Sequence, residues 1–222
     1  MIYVCNELEH WTTVQYESQF MSQIAYVPEN VRAHILKKAR PMSRYQSLTG
    51  WLLLLYAYEK EYGRSLPPVQ FLPGGKPGFV QDTDGYFSLS HSGNMACCVL
   101  TDVPCGVDIQ EVRSVSPGLI ARCCNDREEL QIQDAADGER ERLFALLWSR
   151  KEAMGKLNGA GIAQDLKSLG WSKDFDSSDF SGFSCMITEH TALALCCKGE
   201  KKPNLEQLTI LSLSSLFRKD SV

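Results

Sequence analysis

The chain lacks any long apolar run. Its longest, Trp51 to Tyr58, falls far short of the ~20 residues needed to cross a bilayer, so no membrane span is expected. The opening MIYVCNELEHW carries acids at Glu7 and Glu9 and no apolar signal core, which points to a cytoplasmic protein. An excess of basic charge is also missing. Lys and Arg number 23 against 27 Asp and Glu, a formal net charge of −4. Nucleic acid is therefore not the expected partner, because phosphate backbones are gripped by surplus cations. The nine cysteines contain no CxxC, and six of them form the adjacent pairs Cys97-Cys98, Cys123-Cys124 and Cys196-Cys197. Neighbours in a strand face opposite ways and cannot easily share one ion, so these read as reduced, buried, small hydrophobes. No short repeat, low-complexity tract or linker interrupts the chain. The Gly75-Lys76 pair is not a P-loop, since Pro77 stands where Ser or Thr is required.

What remains is an ordinary globular composition over 222 residues, 44% hydrophobic and 23% charged, long enough to fold without disulfides or metal. Ile2 to Cys5 reads as a short strand. Pro28 to Lys38 reads as a helix, and Ser43 to Tyr62 as a longer one, with Ser43 as N-cap and Leu48, Leu52, Leu55 and Tyr56 as its stripe. LPGGKPGF, from Leu72 to Phe79, reads as a loop. Strands follow at Tyr86–Ser90, Met95–Thr101 and Gly106–Gln110, the last two expected to form a hairpin across DVPC. Helices are expected at 117–124, from 126 into the 130s, and at 139–157. Strands are expected at 183–188, 191–197 and 207–213. Helices mixed with antiparallel strands, without βαβ alternation, point to an α+β fold.

Four local features carry polar groups in suggestive places. In GVDIQE, Asp108 and Gln110 share one strand face while Val107 and Ile109 take the other. Two oxygen-bearing side chains held rigidly on one face suit Mg²⁺, which leaves its other positions to water and substrate phosphates. In LLWSRKEAMGK, Trp148, Glu152 and Lys156 continue an aromatic helical stripe begun by Phe144. An exposed Glu–Lys pair at this spacing is worth only ~0.2–0.5 kcal/mol; on a core edge it becomes a metal ligand or base beside a counter-charge. In FSLSHSGN, Ser90, His91, Ser92 and Gly93 gather hydroxyls, an imidazole and backbone N–H groups where a strand turns, a setting that suits anions. Lastly, Lys37, Lys38, Arg40 and Arg44 cluster between two helices, with Lys76 in the Gly/Pro loop. A cation such as Arg44 in a first helical turn is misplaced unless an anion joins it.

In this order GKPGF, FSLSHSG, GVDIQ and WSRKEAMGK resemble the 4′-phosphopantetheinyl transferases of the larger, surfactin-synthetase-activating type. The resemblance runs from about Arg44 to Lys156. It implies a monomer of two similar α+β lobes related by a pseudo-two-fold axis, here 1–104 and 105–222, with coenzyme A and Mg²⁺ in the cleft between them. The implied reaction moves the 4′-phosphopantetheine arm of coenzyme A onto a serine of an apo acyl or peptidyl carrier protein, releasing adenosine 3′,5′-bisphosphate.

By the same resemblance Asp108 and Glu152 would be the magnesium carboxylates, with Gln110 beside them. Lys151 and Lys156 would flank that site, Lys156 reaching the coenzyme phosphates. His91, with Ser90, would meet a phosphate, while Arg44 and Lys76 would hold the nucleotide's 3′-phosphate or its surroundings. Many members carry an acid where this chain has Gln110. A glutamine still offers a carbonyl oxygen but removes one negative charge. That departure supports one alternative, a member that binds coenzyme A or a carrier without transfer.

Overall fold

The structure is a computed structural model that describes residues 1–6, 8, 14–159, 166–169, 174–176, 179–199 and 205–209. The chain divides into two compact units. The first is Met1–Asp102 together with the strand Leu205–Thr209, and the second is Val103–Lys202.

In the first unit, β1 (Ile2–Asn6), β4 (Tyr86–Ser92), β5 (Met95–Thr101) and β10 (Leu205–Thr209) form a sheet in the order β10-β1-β5-β4. The pairs β1–β5 and β5–β4 are antiparallel, whereas β1 and β10 are parallel. Helices α1 (Val14–Gln23), α2 (Glu29–Leu36) and α3 (Pro41–Tyr62) belong here, as does the hairpin of β2 (Val69–Phe71) and β3 (Pro77–Phe79). The long helix α3 buries Leu48, Leu52 and Trp51 together with Leu53, Leu54 and Ala57. Each fully buried Leu contributes about 1.5–3 kcal/mol by leaving water. A chain of rings extends the core from Trp51 to Phe87, from Phe87 to Phe79 and from Phe79 to Tyr58, with centroids 4.7–5.7 Å apart. The helix stops at Gly63, whose φ of 64° is the left-handed cap that glycine adopts without strain.

In the second unit, β6 (Cys105–Glu111), β7 (Asp174–Asp176), β8 (Phe180–Thr188) and β9 (Thr191–Lys198) form an antiparallel sheet in the order β6-β9-β8-β7. Its helices are α4 (Pro117–Cys123), α5 (Asp126–Asp134) and α6 (Arg140–Asn158). The starts of α4 and α5 are written locally. Ser116 caps α4 ahead of Pro117, and Asn125 with Glu128 forms a complete capping box on α5. Ala153 of α6 packs on Ala194 and Cys196 of β9.

The α+β reading with antiparallel sheets and packed helices agrees with this architecture, apart from the parallel β1–β10 pair. Other expectations need correction. The strands at 95–101 and 106–110 do not form a hairpin. β5 pairs with β1 and β4, while β6 pairs with β9 in the other sheet, so the short Asp102–Pro104 link carries the chain from one unit to the other. The expected 105–222 lobe is also too long. Leu205–Thr209 hydrogen-bonds to β1 of the first unit, because the open side of β1 offers the parallel register from Ile2–Leu205 to Asn6–Thr209. The remainder of the expected 207–213 strand lies outside the described residues. The helix expected from Ser43 begins at Pro41, since proline's fixed φ and missing N–H suit the first helical position. β4 runs two residues further than expected, through His91 and Ser92, and turns at Gly93 with φ 53°. α1 has no counterpart among the expected elements.

Candidate active site

The polar centre of the second unit is built where α6 crosses β6. Gly106 makes this approach possible. A Cβ there would lie 2.0 Å from the Ala153 carbonyl oxygen and 2.5 Å from the Leu157 nitrogen, so no side chain fits. Glycine thus lets the helix settle directly on the strand, two residues before Asp108. Alternation then turns Val107 and Ile109 into the core, both essentially inaccessible.

Asp108 is itself buried, and Lys156 reaches it from the last turn of α6. The Lys156 Nζ lies 2.8 Å from Asp108 Oδ1 and also donates to the Val107 carbonyl at 3.0 Å. One turn back along α6, Glu152 is half-buried, and its Oε1 is enclosed without a hydrogen-bond partner. Burial pushes the Glu152 carboxyl above its ordinary value and the Asp108 carboxylate adds to this, while Lys156 opposes it. A further turn back, Trp148 stacks on Phe144 with ring centroids 6.0 Å apart and anchors the stripe at the edge of an apolar cluster. Trp148, Phe144 and Gln110 line a cavity of about 270 Å³, together with Arg113, Val115 and Leu119. Gln110 donates its amide N–H to the Glu111 carbonyl at 3.3 Å.

The oxygens of Asp108 and Glu152, with the amide oxygen type of Gln110, form a hard donor set suited to Mg²⁺. The enclosed Glu152 Oε1 is an unfilled acceptor of the kind a cation would satisfy. Among the described residues no group of three His, Cys, Asp or Glu side chains could hold a metal. Among the described residues the site has two carboxylates, and a third oxygen from those residues would be a neutral one, such as that of Gln110.

Lys151 is not part of this cluster. It is fully buried on another face of α6, 2.8 Å from Glu128 Oε2, and donates to the Leu166 carbonyl at 2.7 Å. Glu128 Oε2 also accepts from the Asn125 N–H at 2.9 Å. Adjacent helical residues diverge by about 100°, so Lys151, expected beside the cofactor, faces α5 when Glu152 faces β6. The pair instead fastens α6 to the start of α5 and to the short helical turn Leu166–Leu169.

The remaining candidate residues belong to the first unit. His91 is exposed on β4, opposite Ala96. Ser90 is buried and, one residue earlier in the strand, faces the other side. The two side chains therefore leave β4 on opposite faces. Arg44 is half-buried in α3, and its Nε donates to the Lys38 carbonyl at 2.7 Å, just past the end of α2. Lys76 is half-buried in the β2–β3 turn, where its carbonyl accepts from the Leu72 N–H at 2.8 Å.

Two residues escaped the sequence reading. Gly106 carried a faint signal, a glycine inside a strand where packing usually asks for a side chain. Glu128 was legible as half of the Asn125–Glu128 capping box, but its bond to Lys151 joins residues 23 positions apart in sequence and left no local mark.

Residues 104–206 match the family model described as the 4'-phosphopantetheinyl transferase superfamily. The chain is 30% identical over 126 residues to 4'-phosphopantetheinyl transferase psf-1 of Bacillus pumilus, covering 56% of this chain and 54% of that protein. It is 27% identical over 127 residues to 4'-phosphopantetheinyl transferase Sfp of Bacillus subtilis (strain 168), covering 56% of this chain and 57% of that one. The chain thus spans about half the length of these relatives. A solved structure, Thermotoga maritima holo-[acyl-carrier-protein] synthase, aligns with 45% of this chain and 65% of its own at 21% identity and a TM-score of 0.35. By the family match and these relatives, residues 104–206 are similar to the 4′-phosphopantetheinyl transferase superfamily.

Proposed function

We propose that this protein transfers the 4′-phosphopantetheine moiety of coenzyme A to a serine hydroxyl of an apo acyl or peptidyl carrier protein, with Mg²⁺, releasing adenosine 3′,5′-bisphosphate. The observation that carries the reading is the Asp108–Lys156–Glu152 cluster on β6 and α6, inside the stretch that matches the family.

Phosphoryl-type transfer to a hydroxyl asks for positioning, charge neutralisation and a base. Asp108 and Glu152 would hold the magnesium, with Gln110 offering a neutral oxygen directly or through water. Magnesium, when bound, supplies neutralisation of pyrophosphate charge. Glu152, whose proton affinity is raised by burial, is suited to take the serine proton at the carboxyl oxygen not given to the metal. Lys156 is the cation suited to a phosphate oxygen and to the leaving group. In the first unit Arg44, Lys76 and His91 are the residues this reading assigns to the coenzyme's nucleotide phosphates. Ser90, turned to the other face, is assigned to the strand rather than to the ligand.

The reading further assigns the protein to the cytoplasm as a monomer. No helix among the described residues is long and apolar enough to cross a membrane. The test is mass analysis of several apo carrier proteins after incubation with coenzyme A and Mg²⁺. One added phosphopantetheinyl group supports the reading, and no transfer to any carrier sinks it. The two-carboxylate site favours one second reading, a member that binds coenzyme A or carrier without transfer. Calorimetric binding of coenzyme A with no turnover would select it.

A further inference from the structure

We infer that the Lys156 ammonium is a resident counter-ion of Asp108 at Oδ1, which a divalent cation displaces when it takes that oxygen. The inference rests on the proposed reading of Asp108 and Glu152 as metal carboxylates. Asp108 is 8% exposed and Lys156 25% exposed, so the pair sits at the inner wall of the site with the lysine on the outer side. The ammonium holds Asp108 Oδ1 at 2.8 Å and the Val107 carbonyl at 3.0 Å. A cation approaching Asp108 meets a like charge already bonded there.

The charges explain why exchange is favourable. One ammonium serves one carboxylate, and Glu152 Oε1 remains enclosed without a hydrogen-bond partner. A divalent ion serves both carboxylates and removes the cost of the unsatisfied oxygen. Exchange also changes the balance of the site. Two carboxylates and one ammonium carry a formal charge of about −1; adding a divalent cation turns this to about +1. The displaced ammonium, still tethered one turn from Glu152, then needs an anion. Metal loading therefore prepares the site for a phosphate-bearing ligand, and binding of the two is mutually reinforcing.

The test uses the full chain and Mg²⁺ alone. Lys156 is acetylated with a small amine-reactive ester and its labelling rate is read by peptide mass spectrometry, while calorimetry follows the metal. Saturating Mg²⁺ should raise the rate at Lys156 on the order of fivefold, as expected for losing an ion pair worth about 1 kcal/mol. In Asp108→Asn, checked for folding by its melting curve, labelling should be fast and insensitive to the metal. Lys156→Met should bind Mg²⁺ on the order of tenfold more tightly than the wild type. Unchanged labelling while Mg²⁺ binds overturns the exchange, as does equal or weaker metal affinity in Lys156→Met. No calorimetric binding of Mg²⁺ overturns both the exchange and the metal reading. Failure of carrier labelling with exchange intact overturns only the transferase reading.

Discussion

The two units share a plan, a four-stranded sheet with one long helix, yet they use the helix differently. In the first unit α3 buries an almost wholly apolar set, Trp51 to Leu54 among them, and its sheet strand β5 is buried along its full length. In the second unit α6 buries Ser149, Arg150 and Lys151 beside Leu147 and Ala153, and its strand β6 buries Asp108. Both helices carry polar residues; only α6 brings ionic groups into its packing face. The difference teaches where function was built. An apolar helix stabilises through area and tolerates gradual change. A helix that buries ions depends on each partner, because removing one leaves an uncompensated charge.

The sharpest way to break the comparison is at the site itself. Asp108→Ala and Glu152→Ala should each lower transfer by roughly 10²–10³-fold or more, as for loss of a group that meets developing charge. Asp108→Ala should also melt below the wild type, because it leaves the Lys156 ammonium without its carboxylate, so transfer is compared on protein that calorimetry shows to be folded. A fully active Glu152→Ala protein would remove that carboxylate from the chemistry.

Next in size are the packing devices of the second unit. Gly106→Val should destabilise by about 3 kcal/mol or more in denaturant unfolding, since the new side chain meets α6 backbone on both sides. Lys151→Met should cost about 3–5 kcal/mol by leaving Glu128 buried and unpaired. The double variant Lys151→Met with Glu128→Leu should recover part of that loss. In the first unit Leu52→Ala should cost about 2–5 kcal/mol through the cavity alone, with no partner whose removal rescues it. A double variant no better than Lys151→Met would dissolve the contrast between the two cores.

The smallest effect concerns pH. Glu152 has a raised folded-state pKa, so its ionisation works against the fold. Below the ordinary Glu range it is protonated in both states and costs nothing. As pH rises through its folded-state value the cost is fully present. Glu152→Gln should therefore melt above the wild type near pH 7, and the advantage should shrink as pH falls toward 4. An advantage independent of pH would point to packing rather than charge.

Local chemistry made much of this legible in sequence. The Val107/Ile109 alternation placed Asp108 on the polar face of a strand, the stripe from Phe144 placed Glu152 in line with Lys156, and only the family resemblance joined the two. The helices α4 and α5 were expected, while their caps at Ser116 and Asn125 came only with the structure. What stayed hidden depends on distant pairing. Nothing near Leu205 says that it will lie parallel to β1. Lys151 and Lys156 are both lysines on α6, and only the packing of α5 shows that one is locked to Glu128 while the other faces Asp108. The cysteines follow the same logic. None of the nine is in a disulfide, and burial pushes Cys196 up to about 12 and Cys124 to about 11, as expected of thiols used for packing.

The central claim is that the ionic core around α6 exists to move a phosphopantetheinyl group. The most direct measurement is the intact mass of an apo carrier protein incubated with coenzyme A and Mg²⁺, with wild-type protein and with Asp108→Ala in parallel. The account predicts the mass of one phosphopantetheinyl group added by the wild type and almost none by the variant. A panel of apo acyl and peptidyl carriers left unmodified by a folded wild-type protein would contradict it.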